Sequence, residues 1–137
     1  MLEDLFVKGW VILEDPNVPL DSPAEYLAEK YLTMFPAFEL IECTENFRVD
    51  ESDRIVEWHN DSKFGMNITF LYYVDAMSHE TGGSISLRNT DTLEEIQVYP
   101  KSHQLIIMSQ KPNIEHRAEF CSVQRHMFNI DYKVKGF

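Results

Sequence analysis

Apolar residues follow two different patterns along this chain, and the change near Phe38 divides it. From Phe38 onward, short runs rich in β-branched and aromatic residues recur at 38–43, 54–59, 66–74, 83–87, 95–99, 104–109, 116–121 and 124–132. Between them lie turn-forming clusters: Asn60-Asp61-Ser62-Lys63, Thr81-Gly82-Gly83 and Asn89-Thr90-Asp91. Such runs bounded by turn signals predict strands, and many short strands at this rhythm predict a two-sheet sandwich or jelly roll. Before Phe38 the pattern is mixed. Phe6 to Leu13 reads as a strand that ends at Asp15-Pro16-Asn17, a turn cluster. Ser22-Pro23-Ala24-Glu25 then predicts a helix start, with serine as the N-cap, proline in the first turn and Glu25 completing a capping box. Leu27, Tyr31, Met34 and Phe35 fall on one side at helical spacing, and Pro36 ends the run. Such an amphipathic helix is expected to pack against the outside of a sheet.

Length and composition narrow the picture. A chain of 137 residues is expected to form one domain, 1–137, around a single core. Acidic residues outnumber basic ones, 23 to 12, for a formal net charge of −11. That field repels phosphate backbones, and no Lys/Arg stripe offsets it, so nucleic acid is not an expected partner. A basic peptide or a small metabolite is electrostatically easy to admit; the same acidity also serves solubility. Cys43 and Cys121 lie in apolar surroundings and form no CxxC pair, which predicts buried free thiols and a reducing cytoplasm. No apolar stretch approaches the ~20 residues needed to span a bilayer, and Met1-Leu2-Glu3-Asp4 lacks the pattern of a secretion signal.

The candidate chemistry lies in Trp58-His59-Asn60-Asp61 and, far downstream, His116 and Arg125. A lone His-x-Asp is a weak signal. Here it closes a strand-like run, Arg54-Ile55-Val56-Glu57-Trp58, and opens a turn. Side chains at i and i+2 of an extended segment leave the same face, so His59 and Asp61 can reach one ion. His116 opens a second strand-like run from which a third ligand could come. Two imidazoles and a carboxylate cap one face of an octahedral iron(II) ion and leave the other face open. In the last strand, Arg125, Met127 and Asn129 share one face, while His126, Phe128 and Ile130 share the other. An inward-facing Arg125 requires an anion, because an uncompensated buried guanidinium is very costly.

At these residues the chain resembles the iron(II)- and 2-oxoglutarate-dependent oxygenases, in particular their prolyl-4-hydroxylase-like branch. The matching positions are His59, Asp61, His116 and Arg125, with further landmarks in order: Thr69 to Val74, Gly82-Gly83-Ser84-Ile85, Val98-Tyr99-Pro100, and Gln104 to Met108. The resemblance is strongest over 54–132. It implies a mainly β, double-stranded β-helix of cupin-like jelly-roll form, with about one supporting N-terminal helix. It implies Fe(II) held by His59, Asp61 and His116, and 2-oxoglutarate whose distal carboxylate is gripped by Arg125. Tyr73 would donate to the same carboxylate, although Tyr72 competes for that role; Ile85 would form an apolar wall of the cosubstrate slot. The implied reaction hydroxylates an aliphatic C–H while 2-oxoglutarate is decarboxylated to succinate.

The expected target is a prolyl or other residue of a peptide. The alternatives are a small molecule such as a free amino acid, or a non-catalytic jelly-roll binding or assembly module that retains the pocket. Relatives commonly carry an aromatic residue near the end of the last strand, where this chain has Asp131. Loops 75–82 and 88–95 are short, so large substrate lids are missing, and a small open site completed by an oligomer partner would fit. His79 and His103 fall in loop-like segments, and His126 should face away from Arg125, so none is expected to be a ligand; His79, near the Gly-Gly turn, could still line a substrate mouth. Trp58 is expected to pack in the core, on the face opposite the first ligand.

Overall fold

Nine strands and two short helices, seen in a computed structural model that describes residues 2–35, 37–50, 56–61 and 65–137, arrange into three layers. In chain order these are α1 (Asp4–Val7), β1 (Trp10–Glu14), α2 (Pro23–Tyr31), β2 (Glu39–Asp50), β3 (Val56–His59), β4 (Ile68–Tyr73), β5 (Ile85–Asn89), β6 (Glu95–Val98), β7 (Gln104–Ser109), β8 (Ile114–Ala118) and β9 (Arg125–Lys135). The major sheet has the order β1-β7-β4-β9-β2, the minor sheet β3-β8-β5-β6, and every pairing is antiparallel. This is the mainly β jelly roll expected from the strand pattern, with few helices.

The central strands of the major sheet are buried on both faces, while the edge strand β2 is largely exposed. All six side chains of β4 are buried, so its sequence Ile-Thr-Phe-Leu-Tyr-Tyr shows no polar side. Phe70, Tyr72, Leu105, Ile107, Phe128 and Ile130 point toward the helices and meet Leu5, Leu27 and Tyr31. Leu71, Tyr73, Ile106, Met108 and Met127 point the other way and meet Ile85, Leu87 and Ile114 of the minor sheet. Burial of so many large side chains, at about 1.5–3 kcal/mol each, is what holds the layers together.

The helix side also contains one buried carboxylate. Asp15 accepts from Lys30 Nζ at 2.9 Å, Tyr31 Oη at 2.7 Å, Tyr26 Oη at 3.2 Å and the Asn17 N–H at 3.0 Å. Burial alone would raise its pKa, but the bonds from Lys30, Tyr31 and Asn17 hold it below the usual carboxylate range. Tyr72 has a single hydroxyl proton, which goes to the Asp15 carbonyl at 2.9 Å. His103 Nδ1, 2.9 Å from the same phenol oxygen, is therefore the donor in that pair.

Several local expectations are corrected. The first strand is Trp10–Glu14, not Phe6 to Leu13, because Asp4–Val7 forms a helical turn that Gly9 ends. Gly9 sits at φ +105°, and an added Cβ would lie 2.2 Å from Ile114 Cδ1. Ser22 precedes α2 but does not cap it with its side chain; the Ala24 N–H bonds Glu45 Oε1 on β2 at 3.1 Å instead. A 3₁₀ turn at Leu32–Met34 rotates the apolar side, burying Leu32 and exposing Met34. Pro36 lies outside the described residues. Cys43 is exposed, because β2 is an edge strand; Cys121 is buried, and both thiols are free. Trp58 does not enter the core: it is half-buried on the outer face of the minor sheet, with the Arg88 and Arg117 guanidiniums 4.1 and 5.0 Å from its ring. No helix among the described residues is long and apolar enough to cross a membrane.

Candidate metal centre and its cavity

The pairing of β3 with β8 places His59 directly opposite His116. Directly opposed residues of an antiparallel pair share a face, and the two imidazole centroids lie 4.0 Å apart. A register irregularity separates Val56 from His59, the kind of local kink that re-aims a strand end. Asp61, two residues on, projects toward the same point: its Oδ2 lies 3.9 Å from His59 Nε2 and 3.6 Å from His116 Nε2. Neither separation is a hydrogen bond. One ligand atom from each of the three residues lies within 4.8 Å of the others, the only such metal-capable group among the described residues.

The donors are prepared for a cation. His59 Nδ1 lies 2.7 Å from the Glu57 carbonyl, which can only accept. The proton therefore sits on Nδ1, and the Nε2 lone pair is left facing Asp61. His116 has its pKa lowered to about 4, first by burial and then by the nearby His59, with Asp61 opposing. Its imidazole is thus neutral near pH 7 and can donate a lone pair. Among the described residues His116 Nδ1 is buried without a hydrogen-bond partner, which leaves Nε2 to make the ring's polar interaction. The residues present fit a divalent ion with two nitrogen ligands and one carboxylate.

A cavity of ≈270 Å³ opens from this trio between the two sheets. Its walls include Leu71, Tyr73, Ile85, Met127, Asn129 and Arg125, so the β9 face read from alternation does line it. Arg125 is 5% exposed, donates from Nη1 to the Gly83 carbonyl at 2.7 Å, and has its Cζ 5.7 Å from the Tyr73 ring centroid. Gly83, at φ +84°, has its Cβ position within 3.2 Å of Cys121 Sγ and 2.8 Å of Met77 Sδ, so only glycine fits there. Tyr73 faces the cavity, whereas Tyr72 belongs to the helix-side core; the structure thereby separates the two adjacent tyrosines. Ile85 is buried in the cavity wall. A larger hollow of ≈570 Å³ between α2 and the β2–β9 end has a mostly apolar lining and contains none of the three candidate ligands.

Other sequence candidates lie elsewhere. His126 Nδ1 pairs with Asp75 Oδ2 at 2.6 Å, facing away from Arg125. His103 serves the Tyr72–Asp15 cluster. His79 packs on Tyr99, with centroids 4.3 Å apart, and is not part of the cavity wall.

Residues without a sequence signal support the ligand-bearing turn. Asn60 Nδ2 donates to the carbonyls of Lys111 and Ile114, each at 2.6 Å. Gln110 Oε1 accepts from the Asp61 N–H at 3.2 Å. Gln110 Nε2 donates to Thr69 Oγ1 at 2.7 Å, and Thr69 donates to Asp131 Oδ1 at 2.5 Å. Burial pushes the Asp131 carboxyl up; the Thr69 hydrogen bond opposes this and the Asp61 charge adds to it. At the other side of the cavity, Glu119 Oε2 accepts from Ser84 Oγ and, at 3.0 Å, from Gln97 Nε2.

No protein-family model matches the chain, and no curated protein matches its sequence. Solved structures do match its fold. A prolyl-4-hydroxylase from Pseudomonas putida superposes with a TM-score of 0.75 at 14% identity, covering 96% of this chain and 92% of that one. A Trichoplax adhaerens prolyl hydroxylase, solved in complex with a hypoxia inducible factor oxygen degradation domain peptide fragment, gives 0.60 at 13% identity over 96% of this chain and 86% of that one. A prolyl 4-hydroxylase from Phytophthora capsici gives 0.68 at 18% identity, over 90% of this chain and 47% of that one. The chain has the jelly-roll fold of these oxygenases.

Proposed function

We propose that this protein is an iron(II)- and 2-oxoglutarate-dependent oxygenase that hydroxylates an aliphatic C–H on a prolyl or other residue of a peptide. The observation that carries the reading is the meeting of His59, Asp61 and His116 at the mouth of a cavity that also contains a buried Arg125. Fold likeness alone would not support it, since one fold hosts many functions. The site chemistry does.

His59 and His116 hold the metal through Nε2, and Asp61 through its carboxylate. When bound, iron(II) together with 2-oxoglutarate supplies oxygen activation for C–H hydroxylation, coupled to decarboxylation of 2-oxoglutarate to succinate. Each other part of the chain has a simpler task. The Glu57 carbonyl keeps the His59 proton on Nδ1. Arg125 receives the distal carboxylate of 2-oxoglutarate, since a planar guanidinium can offer it parallel N–H donors. Tyr73 contributes its hydroxyl to the same carboxylate, and Ile85 closes the slot with an apolar wall. Leu71 and Met127 exclude water between these groups.

Peptide hydroxylation is favoured by the near full-length match to the Pseudomonas putida prolyl-4-hydroxylase and by the peptide held by the Trichoplax adhaerens neighbour. The net charge of −11 favours basic peptides over nucleic acid. Two free thiols suit a reducing compartment such as the cytoplasm. Incubation of the iron-loaded protein with 2-oxoglutarate and a proline-containing peptide library, read by mass spectrometry, tests the proposal. The expected result is a peptide heavier by one oxygen, with succinate formed in equal amount. Succinate with oxygen found only on a free amino acid would move the substrate to a small molecule; neither product would overturn the oxygenase.

A further inference from the structure

Asp61 is held from behind by a relay of three side chains drawn from three different strands or strand ends. Gln110 follows β7, Thr69 lies on β4 and Asp131 on β9, and Thr69 and Asp131 are register partners. Thr69 and Gln110 are 3% and 2% exposed, so water cannot replace their bonds cheaply. The relay has one direction. The Asp61 N–H can only donate, so Gln110 must turn its oxygen to it, at 3.2 Å. The other end of Gln110 is then NH₂, which can only donate, and Thr69 Oγ1 accepts it at 2.7 Å. Thr69 is left with one proton, which goes to Asp131 Oδ1 at 2.5 Å. Each group thus orients the next. The backbone N–H of Gln110 is itself tied to the Asn67 carbonyl at 2.9 Å, and Asn60, the residue before Asp61, donates from its own side chain to the Lys111 and Ile114 carbonyls.

We propose that Asp131, acting through Thr69 and Gln110, is a positioning residue that sets the place of the Asp61 ligand and thereby the affinity of the metal centre. The inference rests on the reading of His59, Asp61 and His116 as metal ligands. An inert buried network would cost stability when broken but would leave metal affinity alone. A positioning network changes both, and outer partners of metal ligands typically contribute roughly 10- to 100-fold in affinity.

Mn(II) is the probe, titrated into the protein without 2-oxoglutarate while free Mn(II) is followed by electron paramagnetic resonance. The variants are Thr69→Val, which removes the relay hydroxyl, Thr69→Ser, which keeps it, and Asp131→Ala, which removes the terminal acceptor. Weakening of roughly tenfold or more in Thr69→Val and Asp131→Ala, with Thr69→Ser near wild type, is expected. Wild-type Mn(II) affinity in folded Thr69→Val and Asp131→Ala overturns the positioning role while leaving the metal site standing. Failure of the wild-type protein itself to bind Mn(II) overturns both. Should Thr69→Val not fold, amide hydrogen exchange at Asp61 in the Asp131→Ala protein decides. Faster exchange than wild type there supports the relay, and unchanged exchange refutes it.

Discussion

The two sides of the major sheet treat a carboxylate in opposite ways. On the helix side, Asp15 is enclosed by an ammonium, two phenols and a backbone N–H, and its charge is fully answered within the protein. On the cavity side, the Asp61 carboxylate stands 3.6 and 3.9 Å from two imidazole nitrogens, with no hydrogen bond made to it among the described residues. A closed cluster contributes stability and holds α2 on the sheet. A cluster of lone pairs repels itself until a cation joins it, so its arrangement has to be imposed by the surrounding structure. The adjacent Tyr72 and Tyr73 display the same division, one locked to the Asp15 carbonyl and the other facing the cavity beside Arg125.

This contrast can be broken one side at a time. The largest stability effect is expected from Asp15→Ala. It leaves the Tyr31 and Tyr26 hydroxyls without their acceptor, and should cost about 3 kcal/mol in urea unfolding. That figure sits at the low end for a buried pair because the Lys30 side chain stays partly in water. Mn(II) affinity should not change. Arg125→Ala is the counterpart on the cavity side: 2-oxoglutarate binding to the Mn(II)-loaded protein, read by calorimetry, should weaken by about 2 kcal/mol or more, roughly 30-fold, with the metal retained. The tyrosines sharpen the comparison. Tyr72→Phe should cost about 1 kcal/mol of stability and leave 2-oxoglutarate binding alone, whereas Tyr73→Phe should weaken that binding by about 1 kcal/mol.

A prediction of a different kind concerns acid. The fold holds the His116 pKa at about 4, below its ordinary value of 6.5. Between those values the unfolded chain binds more protons than the folded one, so stability rises with pH across that window. The contribution is complete above pH 6.5 and declines as pH falls toward 4. Metal-free protein should therefore lose stability between pH 7 and pH 5 in urea titrations, and His116→Asn should lose less. Equal losses would remove His116 as the cause.

The jelly roll was legible because runs rich in β-branched and aromatic residues recur between turn clusters, and the pairing of His59 with Asp61 was legible because two candidate ligands on one short extended segment leave a spacing. His116 and Arg125 could be placed on strands, and parity grouped Arg125, Met127 and Asn129 on one face of β9 without saying which face looks inward. Tyr72 and Tyr73 could not be told apart by the same means. β4 is buried on both sides, so alternation carries no polar signal to show which face looks into the cavity. Cys43 misled for a related reason: its apolar neighbours belong to an edge strand that exposes Leu40 and Ile41. The relay from Asp61 to Asp131 joins residues far apart in sequence that share no spacing. Its one trace was Asp131, an acidic residue where the resemblance led to an aromatic.

The central claim is that His59, Asp61 and His116 form one iron site with a 2-oxoglutarate slot behind it. Anaerobic addition of iron(II) and 2-oxoglutarate, followed by visible absorption, tests this most directly. A weak charge-transfer band that appears with wild type, disappears in His116→Ala and persists in Asp15→Ala is the predicted result. Identical spectra from wild type and His116→Ala would contradict the account.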